Sequence, residues 1–401
     1  MKVLVVIGAN IQYNCSANLC HVAIIRGLCD LGCDVTVLSR SQDEEVIDAS
    51  IVLPEKAKYV TYPSSKLFKY VSKDTRQSIS HSVELEKVNF KQKIYLFVKN
   101  LVKRAYGPFG FNKAWISNVV KDYKADEKYD LIISLSSPVE SHVAAARMIK
   151  KRHIRAELFC ELWEDPWQYD VYRGTPNPAL LELEYNITKE ADKILYVSPL
   201  TLKYQKEIFP ETASNMDWVP LPAYYKSKDV WLPEGIFKYG YFGAYNPSGR
   251  NLEPFYQAAK EMNIDTVICG EPENLFQETE NIRIFSRMSL DALKKHEDNT
   301  NVLIFLCNLH GGQIPGKLYQ YAATNKKILF ILDGTEEEKK ILRNYFEQFN
   351  RFYFCENNKE DICRAIEFLE KDTSISSIPL DNFEPSAIAG EILRKCGFNT
   401  D

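Results

Sequence analysis

Gly311–Leu332 reads GGQIPGKLYQYAATNKKILFIL. The pattern predicts a glycine loop, a short helix, a tight turn and a buried strand over Ile328–Leu332. Pro315 suits the first helical position, where a missing N–H costs nothing. Ile314 before it carries no side-chain oxygen to cap the helix, so the next backbone N–H groups lack a local partner. Lys317 then places a cation in the first turn, at the wrong end of the helix dipole. A bound anion would turn each of these features to advantage, since free N–H groups, a positive helix end and a lysine suit a phosphate. The competing reading is a surface helix capped by water.

The pattern on either side is one of alternating strands and helices. Lys2–Ile7 is a nearly continuous apolar run, as expected of a parallel strand buried on both faces. A polar loop follows, and Ser16 is expected to cap a helix over Ala17–Leu31 that Gly32 ends. Further strands are expected at Asp34–Leu38, Tyr129–Ser134, Ala156–Cys160 and Lys193–Val197, with helices over Val139–Lys151 and Leu180–Ala191 between them. The alternation weakens at Trp218–Tyr225 (WVPLPAYY), which reads as a linker. It restarts with strands at Lys238–Phe242, Thr266–Cys269, Ile282–Phe285, Val302–Leu306, Ile328–Leu332 and Arg351–Phe354. Repeated βα units imply parallel sheets covered on both faces. The expected fold is α/β, with two Rossmann-like domains facing across a cleft: residues 1–221, residues 226–385, and a C-terminal helix or tail over 386–401. Ligands of open α/β sheets lie at the carboxyl ends of the strands, so the cleft is the expected site.

The 401 residues carry a formal net charge of -4, which argues against nucleic acid as a partner. No apolar run approaches the roughly 20 residues that span a bilayer. The chain enters a strand directly at its start, with no signal-peptide pattern, so a cytoplasmic location is expected. The ten cysteines include no C-x-x-C pair. Several sit inside apolar runs, as free thiols in a reducing compartment do, and no metal site is expected. Between Lys66 and Arg104 the chain is strongly basic. Residues 91–105 form an amphipathic basic pattern that fits either a helix on the inner face of the cytoplasmic membrane or a core-packed helix with a solvated face.

The chemistry is carried by loops that follow strands. No G-x-G-x-x-G or P-loop pattern is present, which disfavours a dinucleotide oxidoreductase and a P-loop nucleotidase. In the second half, Gly243 and Gly249 permit close backbone approach in the loop after Phe242. Arg250, just before the next helix, is placed to clamp a phosphate bidentately or to sit as a solvated surface arginine. Gly270 ends another strand, and Ser286 and Arg287 a third. The Gly311–Lys317 loop is the fourth. In the first half, Ser134–His142 and Glu161–Trp167 each follow a strand. Glu164 and Asp165 suit hydrogen bonds to hydroxyls or a role as base, and Asp165 equally suits a turn before Pro166. His142 fits the same functional role or a core position.

At these residues the chain resembles the GT-B-fold glycosyltransferases of the group 1 (family 4) type, in the branch that builds bacterial surface polysaccharides. Ser16–Asn18 before a helix, followed by Leu31–Leu38, is similar to the family's opening, in which a helix is followed by "hxVTVLT". Ser136, Ser137, Pro138 and His142, with Glu164–Trp167, resemble its paired "SSPP…H" and "RDPW" stretches. Ala191–Ser198 is similar to "ADxIxxVS", and Ile314–Ala322 with Lys327–Leu329 to "IPxKxxEYxAxGKPIL".

The resemblance implies sugar transfer from a UDP- or GDP-linked donor to a hydroxyl of a saccharide or lipid-linked acceptor, with no obligatory cofactor or metal. It implies that Arg250 and Lys317 bind the diphosphate and stabilise the leaving group. Ser16, Gly243, Gly270, Arg287, Ile314, Pro315, Gly316 and Gln320 would complete the donor site. His142, Glu164 and Asp165 would lie toward the acceptor, with Asp165 a catalytic candidate. Two glutamates eight residues apart, which accompany retention in the family, are replaced by Gly312 and Gln320. A nucleotide-sugar epimerase of the same fold and a non-catalytic partner subunit are the rival readings.

Overall fold

The computed structural model describes residues 1–41, 47–64, 109–169, 176–224, 237–271 and 275–399. The amphipathic stretch 91–105 lies outside them. The first sheet has seven strands in the order β3-β2-β1-β4-β5-β6-β7. They are β1 (Lys2–Ile7), β2 (Asp34–Arg40), β3 (Lys58–Tyr62), β4 (Lys128–Ser136), β5 (Arg155–Trp163), β6 (Lys193–Tyr196) and β7 (Met216–Trp218). All neighbours pair in parallel. Among the described residues, the helices of this half are α1 (Ser16–Asp30), α2 (Lys113–Asp122), α3 (Glu140–Lys150), α4 (Pro178–Thr188) and α5 (Pro199–Ile208).

The second sheet has six strands in the order β10-β9-β8-β11-β12-β13, again all parallel. These are β8 (Lys238–Phe242), β9 (Asp265–Cys269), β10 (Ile282–Phe285), β11 (Val302–Leu306), β12 (Lys327–Leu332) and β13 (Tyr353–Glu356). Its helices are α6 (Glu253–Glu261), α7 (Leu290–Asp298), α8 (Lys317–Ala322), α9 (Glu336–Glu347) and α10 (Lys359–Lys371), followed by α11 (Pro385–Lys395). Two Rossmann-like α/β domains facing across a cleft are therefore the architecture, as the alternation predicts. In both sheets the strand order reverses next to the first strand, at β1/β4 and at β8/β11, which creates the crevice where ligands of such sheets bind.

Strand β1 shows why the sheets read as apolar runs. Val3, Val5 and Ile7 enter one core cluster and Leu4 and Val6 the other, and each is fully buried. Alternate side chains point to opposite faces, and helices cover both faces. One of these clusters continues through Leu200, Leu221 and Ile314 into the second domain, so the two halves share apolar packing. Helix α11 returns to the first domain and packs on α1. Gly27 makes that approach possible: a Cβ there would fall 1.9 Å from the Pro385 carbonyl oxygen.

Local readings need correction at several points. Ser16 does not cap α1; Cys15 is the N-cap residue and makes no side-chain capping bond. Helix α8 starts at Lys317, with Gly316 as N-cap, so Pro315 precedes the helix and accepts a bond from Leu318 N at 3.1 Å. Strands β3 and β7 were not anticipated. β3 is an edge strand whose residues are half-buried or exposed, and β7 spans three residues, too few for a period to register.

Two predictions follow from the core. Gly27→Val should displace α11 and cost about 1–3 kcal/mol, as overpacking does. Denaturant unfolding measures the loss, and a variant as stable as the wild type would contradict the packing. Glu161 on β5 is fully buried and accepts a bond from Trp163 Nε1 at 2.9 Å. Burial pushes its carboxyl up to about 8. A carboxyl whose folded-state pKa is raised binds more protons when folded, so stability falls as pH rises from about 4.5 to about 8. Glu161→Gln should remove that slope, with melting temperatures matching wild type near pH 4 and exceeding it at pH 8.

Candidate functional site

A cavity of about 370 Å³ opens where the carboxyl edges of the two sheets meet. The first domain contributes Asn14, Cys15, Ser16, Leu19 and Cys20, from the loop after β1 and the start of α1. The stretch between β7 and β8 adds Pro222 and Tyr224, and the second domain supplies the rest of the wall. Of the expected donor-site residues, Ser16, Gly243, Arg250, Gly270, Arg287, Pro315, Gly316, Lys317 and Gln320 all line it. Ile314 does not line it; its side chain is buried in the shared apolar core.

The glycines set how closely the walls approach. A Cβ on Gly270 would fall 1.9 Å from the Gly243 carbonyl oxygen, so the β8 and β9 loops pack backbone to backbone. The strict demand thus lies on Gly270; a Cβ at Gly243 would meet nothing nearer than 3.4 Å. A Cβ on Gly316 would come within 2.9 Å of Ser16 Oγ, so the two domains nearly touch across the cavity.

Among the described residues, three cations line the cavity, Arg250, Arg287 and Lys317, against one carboxylate, Glu271. This balance favours an anionic ligand. Arg250 follows β8 and donates from Nε to Asn308 Oδ1 at 2.6 Å. Asn308 follows β11, so the bond spans the point at which the strand order reverses. Arg287 reaches across the cleft to the Asn14 carbonyl oxygen. Lys317 Nζ donates to Glu297 Oε1 at 2.6 Å; Glu297 lies near the end of α7 and its side chain is 8% exposed. Gln320 accepts the Tyr224 N–H at 2.9 Å through Oε1, which ties α8 to the stretch that follows β7. Burial pushes the Cys269 thiol up to about 11, and burial raises Cys15 and Cys20 as well. The cavity thiols are therefore protonated and weakly reactive near neutral pH.

The first-domain candidates lie apart from this wall. Asp165 accepts a hydrogen bond from Gln313 Nε2, joining the domains beside the cavity. Glu164 Oε1 lies 3.1 Å from His21 Nε2. His142 is fully buried, bonded to Ser134 Oγ at 2.7 Å and packed on the Trp163 ring at 4.3 Å between centroids. Burial, with His21 nearby, holds its pKa well below the usual histidine value, so it is neutral. Gly312 adopts φ +73° and seats its carbonyl on the start of α5, where Ser198 Oγ donates at 2.5 Å and Thr201 Oγ1 at 3.3 Å. A Cβ there would fall 2.9 Å from Leu200 Cβ, so the position tolerates no larger residue in this arrangement.

Sequence reasoning missed His21, Glu297, Asn308 and Gln313. Asn308 had a usable signal, because a carboxamide two residues past a strand next to the order reversal is placed to orient a ligand group. Glu297 had none, since its pairing with Lys317 depends on how α7 packs beside α8. Among the described residues no group of three or more His, Cys, Asp or Glu is placed to hold a metal ion. No described helix is long and apolar enough to cross a membrane.

Compared by sequence, the chain matches no protein-family model and no curated protein. Compared by fold, it is similar to sucrose-phosphate synthase from Thermosynechococcus elongatus, with a TM-score of 0.60 at 14% identity over 99% of each chain. It is also similar to a glycosyltransferase from Rickettsia africae ESF-5, with a TM-score of 0.58 at 11% identity over 98% of this chain and 97% of that one. A third likeness is to UDP-GlcNAc 2-epimerase from Methanocaldococcus jannaschii, with a TM-score of 0.50 at 11% identity over 99% of both chains. These identities speak for the fold, which is the GT-B fold expected from the sequence.

The Lys317–Glu297 pair yields a prediction. Lys317→Met removes the cation that faces the largely buried Glu297 carboxylate, at a cost of about 1–3 kcal/mol for a partly exposed pair. The double variant Lys317→Met with Glu297→Gln should regain most of that stability in denaturant unfolding. Equal losses in the single and double variants would contradict the pairing.

Proposed function

We propose that this protein is a glycosyltransferase that takes a sugar from a UDP- or GDP-linked donor and transfers it to an acceptor hydroxyl. The observation that carries the reading is the cavity at the β8/β11 order reversal, lined by Arg250, Arg287 and Lys317 and closed by Ser16 from the facing domain. Such a crevice accepts nucleotide phosphates at the carboxyl ends of the strands. The resemblance to group 1 (family 4) enzymes extends this to a saccharide or lipid-linked acceptor in surface-polysaccharide assembly. It also extends to the cytoplasmic face of the membrane as the place of action.

In the proposed reaction the bond between the sugar's anomeric carbon and the phosphate oxygen breaks. A bond from that carbon to the acceptor oxygen forms, and the acceptor proton passes to the departing phosphate. Negative charge grows on the diphosphate as the bond breaks, and fixed cations there lower the barrier most directly. Arg250 and Lys317 are assigned that role. Gly243 and Gly270 border the base and phosphates with backbone alone. In the retaining course typical of the family, the leaving phosphate takes the proton on the face from which it departs. Asp165 and Glu164 are assigned to the acceptor side, whereas His142, fully buried against Ser134 and Trp163, takes the core position.

The epimerase among the fold neighbours keeps a second reading in view. The two differ in products: an epimerase converts a nucleotide sugar with no acceptor present, whereas a transferase needs one. A panel of UDP- and GDP-sugars, screened by thermal shift and then by product analysis with and without saccharide acceptors, separates them. The expected result is stabilisation by one nucleotide class and acceptor-dependent release of the nucleoside diphosphate. Arg250→Ala should lower kcat/KM by about 100-fold or more, as the loss of a charge-stabilising donor does. Acceptor-independent conversion would favour the epimerase. Failure of every nucleotide to bind would leave a non-catalytic partner subunit.

A further inference from the structure

Arg250 does not stand alone. Its Nε donates to Asn308 Oδ1 at 2.6 Å, and Asn308 Nδ2 donates in turn to the Gln313 carbonyl oxygen at 3.1 Å. The Gln313 side chain donates from Nε2 to Asp165 Oδ1 in the opposite domain. One residue earlier, the Gly312 carbonyl is held by Ser198 and Thr201, also of the opposite domain. The first domain therefore grips this loop at two adjacent residues, and the loop fixes the carboxamide that orients the cavity arginine. Asn308 is 8% exposed, so its hydrogen bonds are shielded from competing water.

We propose that Asn308 is a positioning residue that couples the seating of the two domains to the grip of Arg250 on a nucleoside diphosphate, through a relay from Asp165 by way of Gln313. The proposal rests on the donor-site reading above. A free arginine loses considerable rotamer entropy when it orders on a ligand, and one already fixed through Nε loses less. Beyond Asn308, the guanidinium's described bond is Nη1 to the Ala244 carbonyl at 3.4 Å, so its terminal nitrogens remain largely available to phosphate oxygens. The relay is directional. Asn308 must accept from Arg250 and donate to Gln313, which an amide can do and a carboxylate cannot.

Calorimetric titration of the full chain with UDP and GDP, and with uridine and guanosine as phosphate-free probes, tests this. Asn308→Leu should weaken binding of the preferred diphosphate by about tenfold, leaving the nucleoside unaffected. Asp165→Ala should weaken the diphosphate similarly from outside the cavity, whereas Asp165→Asn, which keeps the accepting oxygen, should bind like wild type. In the Asn308→Asp background, whose carboxylate cannot donate to Gln313, Asp165→Ala should change nothing further. An unchanged affinity in Asp165→Ala, or losses that simply multiply in the combined variants, overturns the relay while the donor-site reading stands. If wild type binds none of the four probes, the donor-site reading falls and the relay with it.

Discussion

The contact between Gly312 and the start of α5 governs how the two halves of this molecule meet. The Gly312 carbonyl takes hydrogen bonds from both Ser198 and Thr201, and Ser198 also caps α5 through Leu200 N and Thr201 N. The backbone at φ +73° and the absence of a side chain let the loop lie directly on Leu200 and Tyr204. From this seat the same loop runs on through Pro315 and Gly316 to Lys317, all on the cavity wall. Were the loop lifted from α5, Gly316 would no longer face Ser16, and the cavity would lose its closed end. The shared apolar packing through Leu200, Leu221 and Ile314 holds the same arrangement from beneath.

Much of the fold was legible because parallel sheets buried on both faces leave a strong signal. Runs such as Lys2–Ile7 and Val302–Leu306 have the predicted bounds, because nearly every position must be apolar when helices cover both sides. The strands that escaped notice are the edge strand β3 and the three-residue β7, where that constraint is relaxed. Sequence preference predicts the start of α8 two residues before the helix begins. Pro315 satisfies the local preference for a first helical position, but the chain there is committed to reaching across to the other domain, and the helix begins only at Lys317.

The cavity was legible residue by residue where a single residue type carries the message. Arginines and lysines after strands, and glycines at loop crossings, point to an anion site whichever way the chain folds. Partnerships were not legible. Lys317 looked like a cation at the wrong end of a helix, and the fold explains its tolerance by bringing Glu297 to within 2.6 Å. Gly312 looked like a lost carboxylate. In the folded chain it is a position where a side chain would collide with Leu200, so its identity answers to packing between domains. Gln320, which the resemblance reads as replacing the second carboxylate, anchors the segment before β8 through Tyr224.

These arrangements place a cation-lined crevice at the order reversal of the second sheet and close it with the first domain, so the central claim is one of location. A crystal structure of the full chain grown with UDP or GDP tests it most directly. The diphosphate is expected in the cavity between Ser16 and Gly316, with phosphate oxygens within hydrogen-bond distance of Arg250. Ordered nucleotide bound elsewhere on the molecule, with this cavity empty, would contradict it.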